Sequence, residues 1–161
     1  MASSETPDSV PVLVSIKAVD PAKYPYYGSV KLSPQMPLPD ALKADTVAAG
    51  EDVLIRLGVK IGDTIKLGNE TFRMAAVVES EPDRMSGSLN VGLRMMMSRE
   101  ALERTGLMQF GSRAAQRYLF KLMPGGPSVQ QARSAITDAL PNALVADSTE
   151  AHPLITRGVE R

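Results

Sequence analysis

Between Val53 and Val78 the chain reads VLIRLGVKIGDTIKLGNETFRMAAVV, and this stretch limits the fold more than any other. Val53, Leu54 and Leu57 lie on one side of a short helix, and Gly58 follows where a left-handed residue would close it. Val59, Ile61, Ile65 and Leu67 then recur on nearly every second residue, the period of a half-buried strand. Gly62-Asp63 turns the chain into Thr64–Leu67. Gly68-Asn69 turns it again into Thr71–Val78, which is β-branched and apolar enough for a central strand. Helix, tight turn, strand, hairpin and long strand make the nucleus of a compact β-rich module.

The rest of the 161 residues suffices for one domain, or for two small subdomains sharing a boundary. With three Phe, four Tyr and no Trp, the core must be mostly aliphatic, and nine methionines are available to fill irregular gaps. Eighteen basic residues balance eighteen acidic ones, so the chain lacks the basic footprint of a nucleic-acid binder. The absence of cysteine excludes disulfides, thiolate metal sites and Cys nucleophiles, and suits cytosol and periplasm equally. No run approaches the ~18 apolar residues of a membrane span. The polar start, MASSETPD, carries no signal peptide, which fits either a cytoplasmic protein or a fragment of a longer one.

Read in order, residues 1–8 are expected to be a disordered leader. Val10–Val19 is a strand, ended by Asp20-Pro21, and the aromatic turn KYPYY (Lys23–Tyr27) closes at Gly28. Ser29–Leu32 is a short second strand, and three prolines keep Ser33–Pro39 irregular. Asp40–Ala44 has room for a helical turn, and Asp45–Ala49 is apolar enough for a short strand before a helix over Glu51–Leu57. Beyond the nucleus, Glu79–Ser88 reads as a charged loop and Val91–Met97 as a strand. Ser98 caps a helix that runs to Gly106, with Glu100 in its first turn. The last third predicts β-α-β: a strand over Gln116–Met123, a helix opened by the capping-box spacing of Ser128 and Gln131, and a strand over Ala143–Ala146.

Few residues offer chemistry. His152 is the single histidine and lies in a polar tail before Pro153, so it reads as an incidental surface residue rather than half of a catalytic pair. Glu79, Glu81 and Asp83 could hold a hard cation, but a loop ion pair with Arg84 is the better account. Gly58, Gly62 and Gly68 do not have phosphate-loop spacing, and the prolines of Pro124–Pro127 remove backbone donors ahead of the next helix. Met95, Met96 and Met97 alternate faces on a strand, so they fill core rather than converge on an ion. The aromatic turn is the one sticky surface, since Tyr joins apolar area to a polar tip, although packing of the turn accounts for it as well. These residues assign no catalytic, cofactor-binding or metal role. They leave Tyr24, Tyr26, Tyr27, Glu81, Asp83 and Arg84 as candidate partner contacts.

Taken as connected text, LIRLGVKIGDTIKLGNETFRMAAVVESEPDR followed by LRMMMSREALERTGL resembles the extracytoplasmic domain of an FtsX-like or MacB-like ABC transporter permease, of the lipoprotein-release type. Leu57-Gly58, Gly62-Asp63, Gly68 and Glu81–Arg84 carry the likeness, with Asp20, Tyr24-Pro25 and Gly28 before them and Pro153–Arg161 after. It covers roughly Val10–Arg161. The resemblance implies a transport component without chemistry of its own, at the inner membrane with this segment in the periplasm. It implies a cytoplasmic ATPase as partner, contact with a periplasmic protein or lipid-linked cargo, and often a homodimer.

The expected fold is α+β, a small barrel-like β-rich lobe (residues 34–111) inserted into a mixed α/β lobe. That second lobe combines the first strands (9–33) with the β-α-β of 112–147, and residues 148–161 form a stalk towards a membrane helix. The segment that would precede Val10 in the family is missing, so a sheet edge there is expected to be left uncovered. The alternative reading is a standalone barrel-type domain, either a small-molecule-binding module or an enzyme of unknown reaction.

Overall fold

A computed structural model of the chain describes residues 1–4, 10–82 and 92–146, which divide into two compact units, Met1–Ala115 and Gln116–Arg161. No helix among the described residues is long and apolar enough to cross a membrane.

The first unit is a mixed sheet with helices on it. Its strands are β1 (Ala2–Ser4), β2 (Ser15–Val19), β3 (Lys31–Ser33), β4 (Thr46–Ala49), β5 (Thr64–Leu67), β6 (Glu70–Ser80) and β7 (Arg94–Ser98). They lie in the order β1-β5-β6-β4-β7-β2, with β3 also on β6. The long β6 carries the sheet, pairing antiparallel with β5 along its first residues and with β3 along its last, and parallel with β4. Most of the Val53–Val78 stretch folds as its pattern predicts, but Val59 and Ile61 precede the strand instead of joining it, and Ile61 sits exposed in the turn. Helix α2 (Glu51–Leu57) ends on Gly58 in the left-handed conformation, and the β5–β6 hairpin turns at Gly68-Asn69.

Alternation divides the apolar side chains between the two faces. On one, Val47, Ile65, Leu67, Phe72, Met74, Met95 and Met97 pack against Val53, Leu54 and Leu57 of α2 and Ala101 of α3 (Arg99–Arg104). On the other, Ala48, Ala76 and Met96 meet Ala41 and Leu42, at the end of α1 (Leu38–Ala41), together with Val19 and Leu32. Met95 and Met97 thus enter one core and Met96 the other, as strand geometry requires.

Ser98 caps α3 as expected, accepting from the Ala101 amide at 3.0 Å while its hydroxyl faces the Lys43 carbonyl at 3.4 Å. Ser98→Ala is expected to cost about 1–2 kcal/mol, because a buried helix-terminal amide loses its partner. Urea denaturation would measure this, and a change below about 0.5 kcal/mol would mean that water replaces the cap.

Several expectations change. The strands do not close into a barrel; among the described residues β1 and β2 are the outer strands of an open sheet. Val10–Val19 does not belong to a separate lobe: only Ser15–Val19 is strand, and it pairs parallel with β7 in this same sheet. The register explains why, since Ile16 and Ala18 face the larger core and Val19 the smaller one. Ala2–Ser4, expected to be disordered, pairs with β5, and Ala2 is fully buried while exchanging hydrogen bonds of 2.8 and 2.7 Å with Val12.

In the second unit the helix α4 (Val129–Ala139) forms with the predicted capping box, Ser128 and Gln131 bonding each other's backbone amides. The flanking strands do not form: among the described residues Gln116–Met123 and Ala143–Ala146 have no ladder, and α4 buries no side chain. A strand needs a hydrogen-bonded neighbour, and β propensity alone does not supply one.

Candidate functional site

The sequence places the aromatic turn and the Glu81 loop more than fifty residues apart, and the fold brings them together. β2 delivers Lys17 and then ends at Asp20, whose carbonyl accepts from the amides of Lys23 (3.1 Å) and Tyr24 (2.9 Å) to form the turn. β6 ends at Ser80 and presents Glu81 immediately after it. β7, parallel to β2, opens with Arg94.

These three elements converge on one carboxylate. Glu81 Oε2 accepts from Lys17 Nζ at 3.0 Å and from Arg94 Nη2 at 3.2 Å. The Glu81 side chain is only 7% exposed, against 27% and 28% for its two partners. A buried carboxylate needs such compensation, since an unpaired one would neutralise or leave the interior. Lys17 Nζ also donates to Tyr24 Oη at 2.7 Å and lies 4.5 Å from the centre of that ring. One ammonium therefore links the buried carboxylate to the first tyrosine of the turn.

A second contact joins the same parts. Gly28 has φ +69°, and a Cβ there would stand 2.7 Å from Cβ of Pro82, so only glycine allows so close an approach. The turn is thereby seated against the Glu81-Pro82 corner. Tyr24 is half-buried on the smaller core, whereas Tyr26 and Tyr27 project with 42% and 66% of their surface exposed.

Of the six sequence candidates, Tyr24 and Glu81 interact through Lys17, Tyr26 and Tyr27 share their surface, and Asp83 and Arg84 lie outside the described residues. Glu81, read from the sequence as part of a charged loop, follows directly on β6 and has a buried side chain. Its described partners come from distant strands rather than from its own loop, and the predicted pairing with Arg84 lies outside the described residues. Lys17 and Arg94 escaped the sequence reading. Lys17 is the charged interruption in an otherwise apolar strand, a weak signal that names no partner.

Beside the carboxylate, Lys17, Ser80, Glu81, Gly92 and Arg94 line a cleft of about 60 Å³. Small-molecule sites occupy ~300–1,000 Å³. This cleft lies well below that range.

Comparison with known proteins points to the ABC transporter permeases. Over 110 residues, 68% of this chain, the sequence is 36% identical to the uncharacterized ABC transporter permease YbbP of Escherichia coli (strain K12). The match spans 13% of that permease's length. No family model and no solved structure matches the chain. The sequence is thus related to a segment of an ABC permease.

Proposed function

We propose that this chain is the extracytoplasmic domain of an FtsX-like or MacB-like ABC permease, a transport component rather than an enzyme. The 36% identity to an ABC permease over 110 residues carries the reading, and the cross-braced aromatic turn supports it by supplying a fixed contact surface. In this view the domain stands in the periplasm and couples to a cytoplasmic ATPase through the rest of the permease. It meets a periplasmic protein or lipid-linked cargo of the lipoprotein-release type through Tyr24, Tyr26, Tyr27, Glu81, Asp83 and Arg84. A homodimer would set two such surfaces side by side.

Location and contact are tested separately. Because the chain has no cysteine, Ile55→Cys on the exposed side of α2 is a clean reporter in a full-length permease otherwise free of cysteine. It is expected to react in intact cells with a membrane-impermeant maleimide; labelling only after lysis would put the domain on the other side of the membrane. The double variant Tyr26→Ser, Tyr27→Ser is expected to reproduce at least a tenfold part of the transport defect of a permease deletion, with normal membrane levels. Two exposed aromatic anchors are worth about that much or more. Wild-type transport by this variant would remove the turn from the contact surface.

A further inference from the structure

We infer that Glu81 is a latch that sets the position of the aromatic turn, and that the turn and the Glu81-Pro82 corner therefore move as one piece. The inference deepens the contact surface proposed above and rests on that reading for its use, though not for its test. Three observations carry it. Arg94 ties the Glu81 carboxylate to β7, the rigid side of the connection, at 3.2 Å. Lys17 ties the same oxygen to the turn, donating to Glu81 at 3.0 Å and to Tyr24 Oη at 2.7 Å. Gly28 then fits against Pro82 with no room for a methyl group.

The two cations have different jobs. Arg94 orients the carboxylate with respect to the sheet. Lys17 passes that orientation to Tyr24, three residues before the exposed Tyr27. A displacement of Pro82 would move Glu81 through the chain and Gly28 by direct contact. A partner that engages Tyr26 and Tyr27 would thus pull on Glu81 through Tyr24 and Lys17, and on Pro82 through Gly28. Glu81 is a positioning residue, since it acts on the tyrosines through Lys17.

The experiment is amide hydrogen exchange on the 161-residue chain, without any partner, for wild type, Glu81→Gln, Lys17→Met and Lys17→Arg. The turn amides of Ala22, Lys23 and Tyr24 report the latch, because all three bond to Asp20. Glu81→Gln and Lys17→Met are expected to raise exchange across residues 20–28 by at least tenfold, with the amides of β4 and β6 unchanged. Lys17→Arg, which keeps a cation, is expected to restore most of the protection. Unchanged exchange in the turn would overturn the inference. So would an increase spread evenly over the sheet, which would make the cluster a general support. Should Glu81→Gln fail to fold, Lys17→Met decides, since it leaves the Glu81–Arg94 pair intact; failure of both to fold would also overturn the latch. A released turn in a permease that transports normally would refute the proposed contact surface and leave the latch standing.

Discussion

Replacing Phe72 with alanine is expected to remove about 3–5 kcal/mol of stability, a large part of the ~5–15 kcal/mol that holds a domain of this size. Phe72 is fully buried near the start of β6, opposite Ile65 in the hairpin register and packed in the core with Met74, Leu67 and Leu57. Among the described residues no other aromatic belongs to that core, so no neighbouring ring can swing in. The methionines at 74, 95 and 97 can repack partly into the space, which draws the value towards the lower end. Urea unfolding should show the midpoint falling with an unchanged slope, and the thermal midpoint dropping by on the order of 10 °C or more. Phe110→Ala is the control: that ring is fully exposed, and its loss should cost less than about 0.5 kcal/mol. Equal losses at the two positions would mean that the core does not centre on β6.

The second large effect is expected at Gly68. It takes φ +60° in the β5–β6 turn, and a Cβ there would collide with the carbonyl oxygen of Thr105 and approach Leu107 Cγ to 3.1 Å. That carbonyl already accepts from the Asn69 amide at 3.0 Å, which fastens the hairpin to the end of α3. Gly68→Ala combines the cost of a left-handed alanine, roughly 1–2 kcal/mol, with that of backbone displacement, about 1–3 kcal/mol. Gly58 separates the two contributions. It has nearly the same conformation, φ +65°, with open space where a Cβ would stand. Gly58→Ala should therefore show the conformational part alone, and Gly68→Ala should be distinctly less stable. Matching midpoints for the two variants would contradict the hairpin's attachment to α3.

What could be read from the residues follows from how local each signal is. The α2 helix, its glycine stop, both tight turns and the Ser98 and Ser128 caps depend on a few adjacent residues, and all were legible. The open sheet was not, because the partner of a strand is not written in the strand. Ala2–Ser4 has no β propensity to speak of, and its place comes from pairing with β5 and from the bridge between Ala2 and Val12. Gln116–Met123 shows the reverse, with strong propensity and no described neighbour. The proposed contact surface was half legible. The exposed tyrosines announce themselves by type, but the ion pair beneath them joins Lys17 to a carboxylate 64 positions away. No periodicity reports a distance of that kind.

The parallel pairing of β2 with β7 also sets the order in which the sheet is built. The β5–β6 hairpin closes across two turn residues, whereas Ser15 must find Arg94 across about two thirds of the unit. Loop-closure entropy grows by about 0.6 kcal/mol for each doubling of the loop, so this joining is about 3 kcal/mol harder to initiate than the hairpin. Pairings of such long range form late in folding, after local ones have condensed. As one of the two outer described strands, with a single neighbour, β2 is also among the first to detach when the sheet opens from its margin. The strand that bears Lys17 is therefore among the last to arrive and the first to leave, and the tyrosines travel with it.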